Sequence, residues 1–378
     1  MSWPTYGLDE LGVVSRGRSR HRPRDAQHLY GGPFPFVQTG DVKAAPLFLT
    51  NYSQTYSDAG LAQSKLWPTG TLCITIAANI AETCILGIDA CFPDSIIGFV
   101  ADPAKANTRF IKYQFDAVMR DQMKRVSHGV AQDNLSQEKL LSFRFPVPDV
   151  PTQERIASLL TAYDDLIENN RRRIGLLEQA ARLLYREWFV HFRFPGHETA
   201  KFVDGVPEGW ENTTVDQLLV LQRGFDLPVG ERKEGVVPVY GSTGIVGYHS
   251  IAKVPAPVII TGRSGSLGRV VLCDVPCWPL NTSLWVKELK SIRPLFAYFF
   301  LSALELGKYN GGASVPTLDR KVVHRLTAIK PSAEIMDQFE AIAEVCFKQI
   351  STITKQNAQL TRARDLLLPR LMDGRIPV

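Results

Sequence analysis

Residues 160–188 read LTAYDDLIENNRRRIGLLEQAARLLYREW. Within them Leu160, Tyr163, Ile167, Asn170, Ile174, Leu177, Ala181, Leu184 and Trp188 recur at alternating steps of three and four. Side chains at such steps share one face of a helix, and a sustained 3.5-residue period keeps that face turned toward a partner helix. No proline falls between Pro151 and Pro195. The same spacing recurs at Ala343, Cys346, Ile350, Ile353, Asn357, Leu360, Arg364, Leu367 and Leu371, with Pro369 expected to end or kink the last turn. Each helix should run for about 35 to 40 residues, roughly 50 to 60 Å. An amphipathic helix lying on its own domain would show the same period but would not need that length. Each seam also holds one asparagine, and a polar residue in a seam tends to set register. If the helices pack antiparallel with Ile174 opposite Ile353, facing residue numbers sum to 527. Asn170 then meets Asn357, and each amide can satisfy the other.

Working outward, the whole chain repeats. At an offset of 183, Gly129 falls on Gly312, Leu135 on Leu318, Pro148 on Pro331, Ile167 on Ile350 and Leu184 on Leu367. At 186, Ile74 and Thr75 match Ile260 and Thr261, and Cys91, Phe92 and Pro93 match Cys277, Trp278 and Pro279. At 207, Arg16 and Gly17 match Arg223 and Gly224. The matches keep one order along the chain, as two copies of a unit of about 185 residues would. Each copy opens with short Val, Ile, Phe and Thr runs broken by Gly, Pro and Asn, which predict strands at 71–77, 95–100, 258–261 and 283–286 in a mainly antiparallel sheet. Short helices are expected at 108–123 and 294–306. The predicted class is α+β: two tandem mixed α/β domains related by an internal pseudo-twofold repeat, joined by two long helices packed as an antiparallel coiled coil. The segments are 1–148, 149–195, 196–330 and 331–378.

Composition narrows the function classes. Of the 378 residues 45% are hydrophobic and 21% charged, and the net charge is +5. That excludes a disordered or collagen-like chain, and no apolar run is long enough to span a bilayer. Residues 1–10 carry acids and lack an apolar core, which predicts no signal peptide. The six cysteines form no CxxC pair and read as small buried residues of a reducing, cytoplasmic setting, with no metal expected. Arg16, Arg18, Arg20, Arg22 and Arg24 alternate through one stretch. An extended segment would put all five guanidinium groups on one side, where they suit a phosphate backbone; a solvated loop is the other reading.

Catalytic motifs are scarce. There is no Asn-Pro-Pro-aromatic tetrapeptide and no Walker A loop. Residues 262–268 are glycine-rich but lack the P-loop lysine, and they do not fit GxSxG; a β-turn near nucleic acid is the expectation there. His191 and His197 read as linker residues, and Asp164 and Asp165 as surface charge on the helix.

The segment PDVPTQERIA (148–157), the long helix through Asp164 and Asp165, and its end LLYREWF (183–189) resemble the central repeat of type I restriction–modification specificity subunits. RDLLLPRL (364–371) followed by DGRI (373–376) resembles the distal repeat of the same family. The resemblance implies that each globular domain is a target recognition domain reading one half of a split double-stranded DNA site. The helices would fix the gap between half-sites and dock two modification (methyltransferase) subunits, which restriction (endonuclease/translocase) subunits then join. The subunit itself would be non-catalytic and bind no cofactor, S-adenosylmethionine being held by the modification subunits. Candidate DNA contacts are then the Arg16–Arg24 stretch with Lys124, Arg125, Gln132 and Asn134, and in the second copy Arg223, Arg263, Ser264, Arg269, Lys308 and Asn310. Arginine suits guanine edges and Asn or Gln suits adenine, although any of them could touch phosphate or only water. Leu183, Tyr185, Trp188 and Phe189 are candidate partner contacts, packing against the chain's own second helix being the alternative. A two-lobed coiled-coil scaffold that binds proteins without DNA specificity is the rival function.

Overall fold

Strands form where β-branched and aromatic runs are bounded by turn residues, and their alternate side chains feed two different cores. The computed structural model describes residues 3–126 and 135–378, with backbone alone over 120–126. It falls into two compact units, one of residues up to 172 with 353–378, the other of 173–352. Both boundaries lie inside the long helices, whereas the sequence segments treat each helix as a separate piece.

In the first unit a five-stranded sheet has the order Gly12–Arg16, Ile96–Ala101, Leu72–Thr75, Thr83–Leu86, Phe48–Leu49. The first four strands are antiparallel and the last pairs in parallel. Leu72, Ile74, Ile97 and Phe99 face the helix Thr108–Val126 through Phe110, Ile111 and Phe115. Their neighbours Cys73, Cys84, Leu86 and Ile96 face the other way onto Trp67 and Phe92. That is the period of two expected of a pleated strand. A smaller sheet has the order Gln54–Tyr56, Tyr30–Phe36, Ala90–Cys91, Leu66–Trp67, with Tyr30–Phe36 and Ala90–Cys91 parallel.

The second unit carries the same order. Its main sheet runs Leu219–Arg223, Ser283–Leu289, Val258–Gly262, Val270–Cys273, all antiparallel. Leu219, Leu221, Ile259 and Leu284 pack with Phe296, Phe299 and Phe300 of the helix Pro294–Ala303. Its smaller sheet runs Gly244–His249, Val237–Gly241, Trp278–Pro279, again with the last two parallel.

Two glycines occupy matching places. Gly17 donates to the Ile96 carbonyl, and a Cβ on it would collide with the Phe92 and Pro93 carbonyls. Gly224 donates to Ser283, and its Cβ would collide with the Pro279 and Leu280 carbonyls. Only a residue without a side chain fits either place. The bonds Arg18 N to Phe92 O (2.9 Å) and Phe225 N to Pro279 O (2.8 Å) match Phe92 with Pro279, one residue beyond the offset of 186 read from the Cys-x-Pro triplets. Shared cysteine and proline identities drew that alignment one residue short.

The first long helix spans Val150–Tyr185 and passes into a π-helical turn, Arg186–Val190; the second spans Ala333–Met372. Each of the nine seam positions on each helix is buried or half-buried, while Glu154, Arg155, Ser158, Asp165 and Asn169 are exposed. Pro369 does not end the second helix, which continues to Met372. Buried Leu368, Leu371 and Met372 hold the last turn despite the donor that Pro369 lacks.

One buried polar side chain ties each globular part to a long helix. In the first unit Gln153 accepts from the Asn107 amide (2.8 Å), just before the helix Thr108–Val126, and donates to the Lys105 and Pro148 carbonyls. In the second unit Glu340 accepts from the Leu295 and Phe296 amides at the start of Pro294–Ala303. Amides of a helix's first turn lack partners within the helix, and a carboxylate suits the positive end of its dipole. Burial pushes the Glu340 carboxyl above the usual carboxylate range, against the pull of those two amides.

Candidate nucleic-acid interface

The five arginines of the first unit do not stand in one row. The strand ends at Arg16, and the chain then bends, with a cis peptide at Arg22–Pro23. Arg18 turns inward and donates from Nε and Nη2 to the Ser64 carbonyl (2.9 and 2.5 Å). Arg22 bonds the Ser19 and His21 carbonyls, and Arg24 pairs with Asp94 at 2.9 Å. Side-chain alternation holds only for a straight strand, so a bend scatters the set. Arg16, Arg20, Arg22 and Arg24 remain exposed, and Arg18 is half-buried. The side chains of Lys124 and Arg125, and the whole of Gln132 and Asn134, lie outside the described residues.

In the second unit the candidates come together. Arg223, half-exposed, lies 3.7 Å from Asp226, which bonds the Asn281 side chain, and Arg263 donates to the Asn281 carbonyl at 3.1 Å. Ser264 bridges to Thr317, whose amide donates to the Asn310 side chain at 2.9 Å. Asn310 also accepts from the Gly312 amide, so its oxygen folds the loop. The glycine-rich turn 262–268 is stitched to that loop by Gly265 N to Pro316 O (2.9 Å). Arg269 donates to the Thr243 carbonyl, and Lys308 pairs with Glu305. Loops 224–226, 262–269, 280–282 and 305–318 thus lie together as one polar face that carries Arg263, Arg269 and Lys308 beside Asp226 and Glu305.

A cleft of roughly 830 Å³ adjoins it, lined by Arg223, Lys253, Lys287, Arg320 and Asp226 beside Phe225 and Trp278. Of these the sequence singled out Arg223 alone. The other three cations lie far apart in sequence, on a loop, a strand and a short helix, and only the fold gathers them.

On the helices, Asn170 Nδ2 donates to Asn357 Oδ1 at 2.9 Å, and Asn357 Nδ2 donates to the Ile167 carbonyl at 3.2 Å. The expected pair is therefore formed, within the first unit. Ile353 is buried there, and Ile174 is half-buried in the second unit. Asp164 is not surface charge. Its side chain is 12% exposed; it accepts from Tyr113 Oη at 2.5 Å and pairs with Arg364, itself 21% exposed. Burial works against the Arg364 charge, but Asp164 and Asp365 hold it protonated, while burial and Asp164 push the Tyr113 hydroxyl far up. The signal was available: an arginine in an apolar seam calls for a carboxylate beside it.

The partner-contact set divides. Tyr185, Trp188 and Phe189 are 5%, 7% and 7% exposed, in one core with Trp210, Phe296, Phe299 and Phe339. They pack inside the second unit, where the globular part, as well as the second helix, covers them. Leu183 is 48% exposed. Five cysteines are buried and Cys346 is half-buried; among the described residues no His, Cys, Asp and Glu cluster suited to a metal ion occurs. None of the described helices is long and apolar enough to cross a membrane.

Comparison with known proteins places this architecture. Residues 2–179 match the family described as type I restriction modification DNA specificity domain. The curated proteins that it resembles by sequence are named as type I restriction enzyme specificity subunits. It is similar to the type I restriction enzyme MjaIX specificity subunit of Methanocaldococcus jannaschii, 21% identical across 100% of this chain and 94% of that protein. It is also similar to the HindI specificity subunit of Haemophilus influenzae, 24% identical across 63% of this chain and 70% of that one. The fold is similar to the crystal structure of the type I restriction–modification S subunit from M. genitalium, with TM-score 0.60 and 17% identity over 98% of this chain and 96% of that one.

Proposed function

We propose that the chain is the DNA-reading subunit of a cytoplasmic type I restriction–modification complex. Its two copies of one α/β unit would be target recognition domains, each reading one half of a bipartite duplex site. The observation that carries this is the shared strand order of the two sheets, with Gly17 and Gly224 in matching places. Repeated frames with different loops suit two half-sites of different sequence. The long helices would pack as an antiparallel coiled coil whose register sets the spacing, a reading supported by the Asn170–Asn357 bond. Two modification subunits would dock on the helices, restriction subunits joining through them. Exposed Leu159, Leu166, Leu176 and Leu183, off the seam of the first helix, favour such a surface. S-adenosylmethionine would belong to the modification subunits.

The test is purification of the tagged chain from its own cells, with mass spectrometry and a DNA gel shift on the eluate. A methyltransferase at about two copies per chain, with salt-sensitive, sequence-dependent DNA binding, is expected. Partners without any DNA binding would favour the protein-only scaffold.

A further inference from the structure

The two units share more than a strand order: each brings one lysine to the end of its first sheet strand. In the first unit Lys65 immediately precedes Leu66–Trp67, the strand that pairs with Ala90–Cys91. Its ammonium sits 3.6 Å from the centroid of the Trp67 ring and 3.4 Å from Ser15 Oγ. In the second unit Lys253 immediately precedes Val254, which bridges Cys277 beside the strand Trp278–Pro279. Its ammonium lies 5.3 Å from the Phe225 ring and 5.5 Å from the Trp278 ring, in the cleft that Arg223 lines. The two lysines correspond to within one residue of strict ladder register. Both are exposed and neither ammonium has a carboxylate partner among the described residues.

We propose that Lys65 and Lys253 are counterpart phosphate contacts, each holding the backbone of one DNA half-site, Lys253 together with Arg223 of its cleft. The proposal rests on the DNA-reading function above and adds the residues that supply affinity without sequence preference. An ammonium is a compact, strongly hydrated point charge, suited to a phosphate oxygen; it lacks the planar fork that reads a guanine edge. The aromatic rings beneath hold each lysine's position, and no carboxylate competes for it. Around Lys253 the cleft adds Lys287 and Arg320 against the single carboxylate of Asp226. Around Lys65, partial burial and the nearby Arg18 make the unpaired charge unfavourable, lowering its pKa, and an arriving phosphate would supply the missing counter-charge. Base-reading loops diverge between the copies, whereas a backbone grip has the same chemistry at any sequence and can remain in both.

The experiment uses the full chain in its purified assembly and a short mixed-sequence duplex. Dissociation constants are measured from about 50 to 200 mM salt for wild type, Lys65→Ala, Lys253→Ala, the double variant and the double Lys→Arg variant. Each phosphate contact contributes about 0.9 to the slope of log K against log salt. Each single alanine should lower the slope by about 0.9 and the double by about 1.8, so the double loses about tenfold less affinity across that range. The Lys→Arg double should keep the wild-type slope, and the ratio of target-site to mixed-sequence affinity should not change. Unchanged slopes in variants of a wild type that binds DNA would overturn the assignment, as would a change confined to the target-site ratio, which marks base contact. A wild-type assembly that binds no duplex at any salt would overturn the DNA-reading function itself.

Discussion

Replacing Asn357 by leucine should destabilise the first unit more than replacing Asn170, although the two share one hydrogen bond. Asn170 is 7% exposed and its Nδ2 donates to Asn357 Oδ1 at 2.9 Å. Asn357→Leu removes that acceptor and strands a buried amide, and it also frees the Ile167 carbonyl. A buried polar group left unpaired costs about 1 to 3 kcal/mol. Leucine's better helix propensity returns about half a kcal/mol, so a net loss of about 2 kcal/mol is expected. Asn170→Leu costs about 1 kcal/mol or less, because half-buried Asn357 keeps its bond to Ile167 and its oxygen can reach water. The double leucine variant leaves no orphaned amide and should lie close to wild type, giving a coupling of about 2 to 3 kcal/mol between the sites. Urea unfolding of all four proteins, with hydrogen exchange over residues 160–172 to locate the effect, measures this. A loss below about 0.5 kcal/mol for Asn357→Leu, single effects that simply add, or the reverse ranking would refute the argument.

Other expectations follow from the same contacts. Asp164→Asn should cost about 3 kcal/mol in urea unfolding because it leaves Arg364 buried without its main counter-charge, whereas Tyr113→Phe should cost about 1 kcal/mol. Glu340 has its pKa raised by burial, so the folded state holds its proton more tightly than the unfolded state. Its contribution therefore declines as pH rises from the unfolded carboxylate value through the folded one; Glu340→Gln should flatten that part of a stability–pH curve. Leu183→Asp should leave the melting temperature within a degree or two while reducing co-purification of the modification subunit, and Tyr185→Ala should instead lose about 3 to 5 kcal/mol of stability. Equal effects of both substitutions on stability would remove Leu183 from the docking surface.

What sequence alone determined was whatever repeats along the chain. The two 3.5-residue seams located both long helices, because period follows from backbone geometry and needs no knowledge of the partner. The asparagine in each seam identified the buried pair, because a lone amide there would be penalised. Matching runs such as Ile74–Thr75 and Ile260–Thr261 located the central strands of both sheets. Sequence also read Asp164 as surface charge, and left Tyr185, Trp188 and Phe189 open between partner contact and packing on the chain's own second helix; the tertiary structure pairs Asp164 with Arg364 and buries the three aromatics inside the second unit. Aromatic side chains at a helix end look the same whether a partner or the chain's own domain covers them; Phe296, Phe299 and Phe339 come from segments more than 100 residues away. The arginine stretch failed for a different reason, since alternation predicts a common face only while the strand stays straight, and this one ends at Arg16. The cleft of Arg223, Lys253, Lys287 and Arg320 was decided by tertiary structure alone. Charge–charge proximity is a property of distance in space, and no spacing along the chain encodes it.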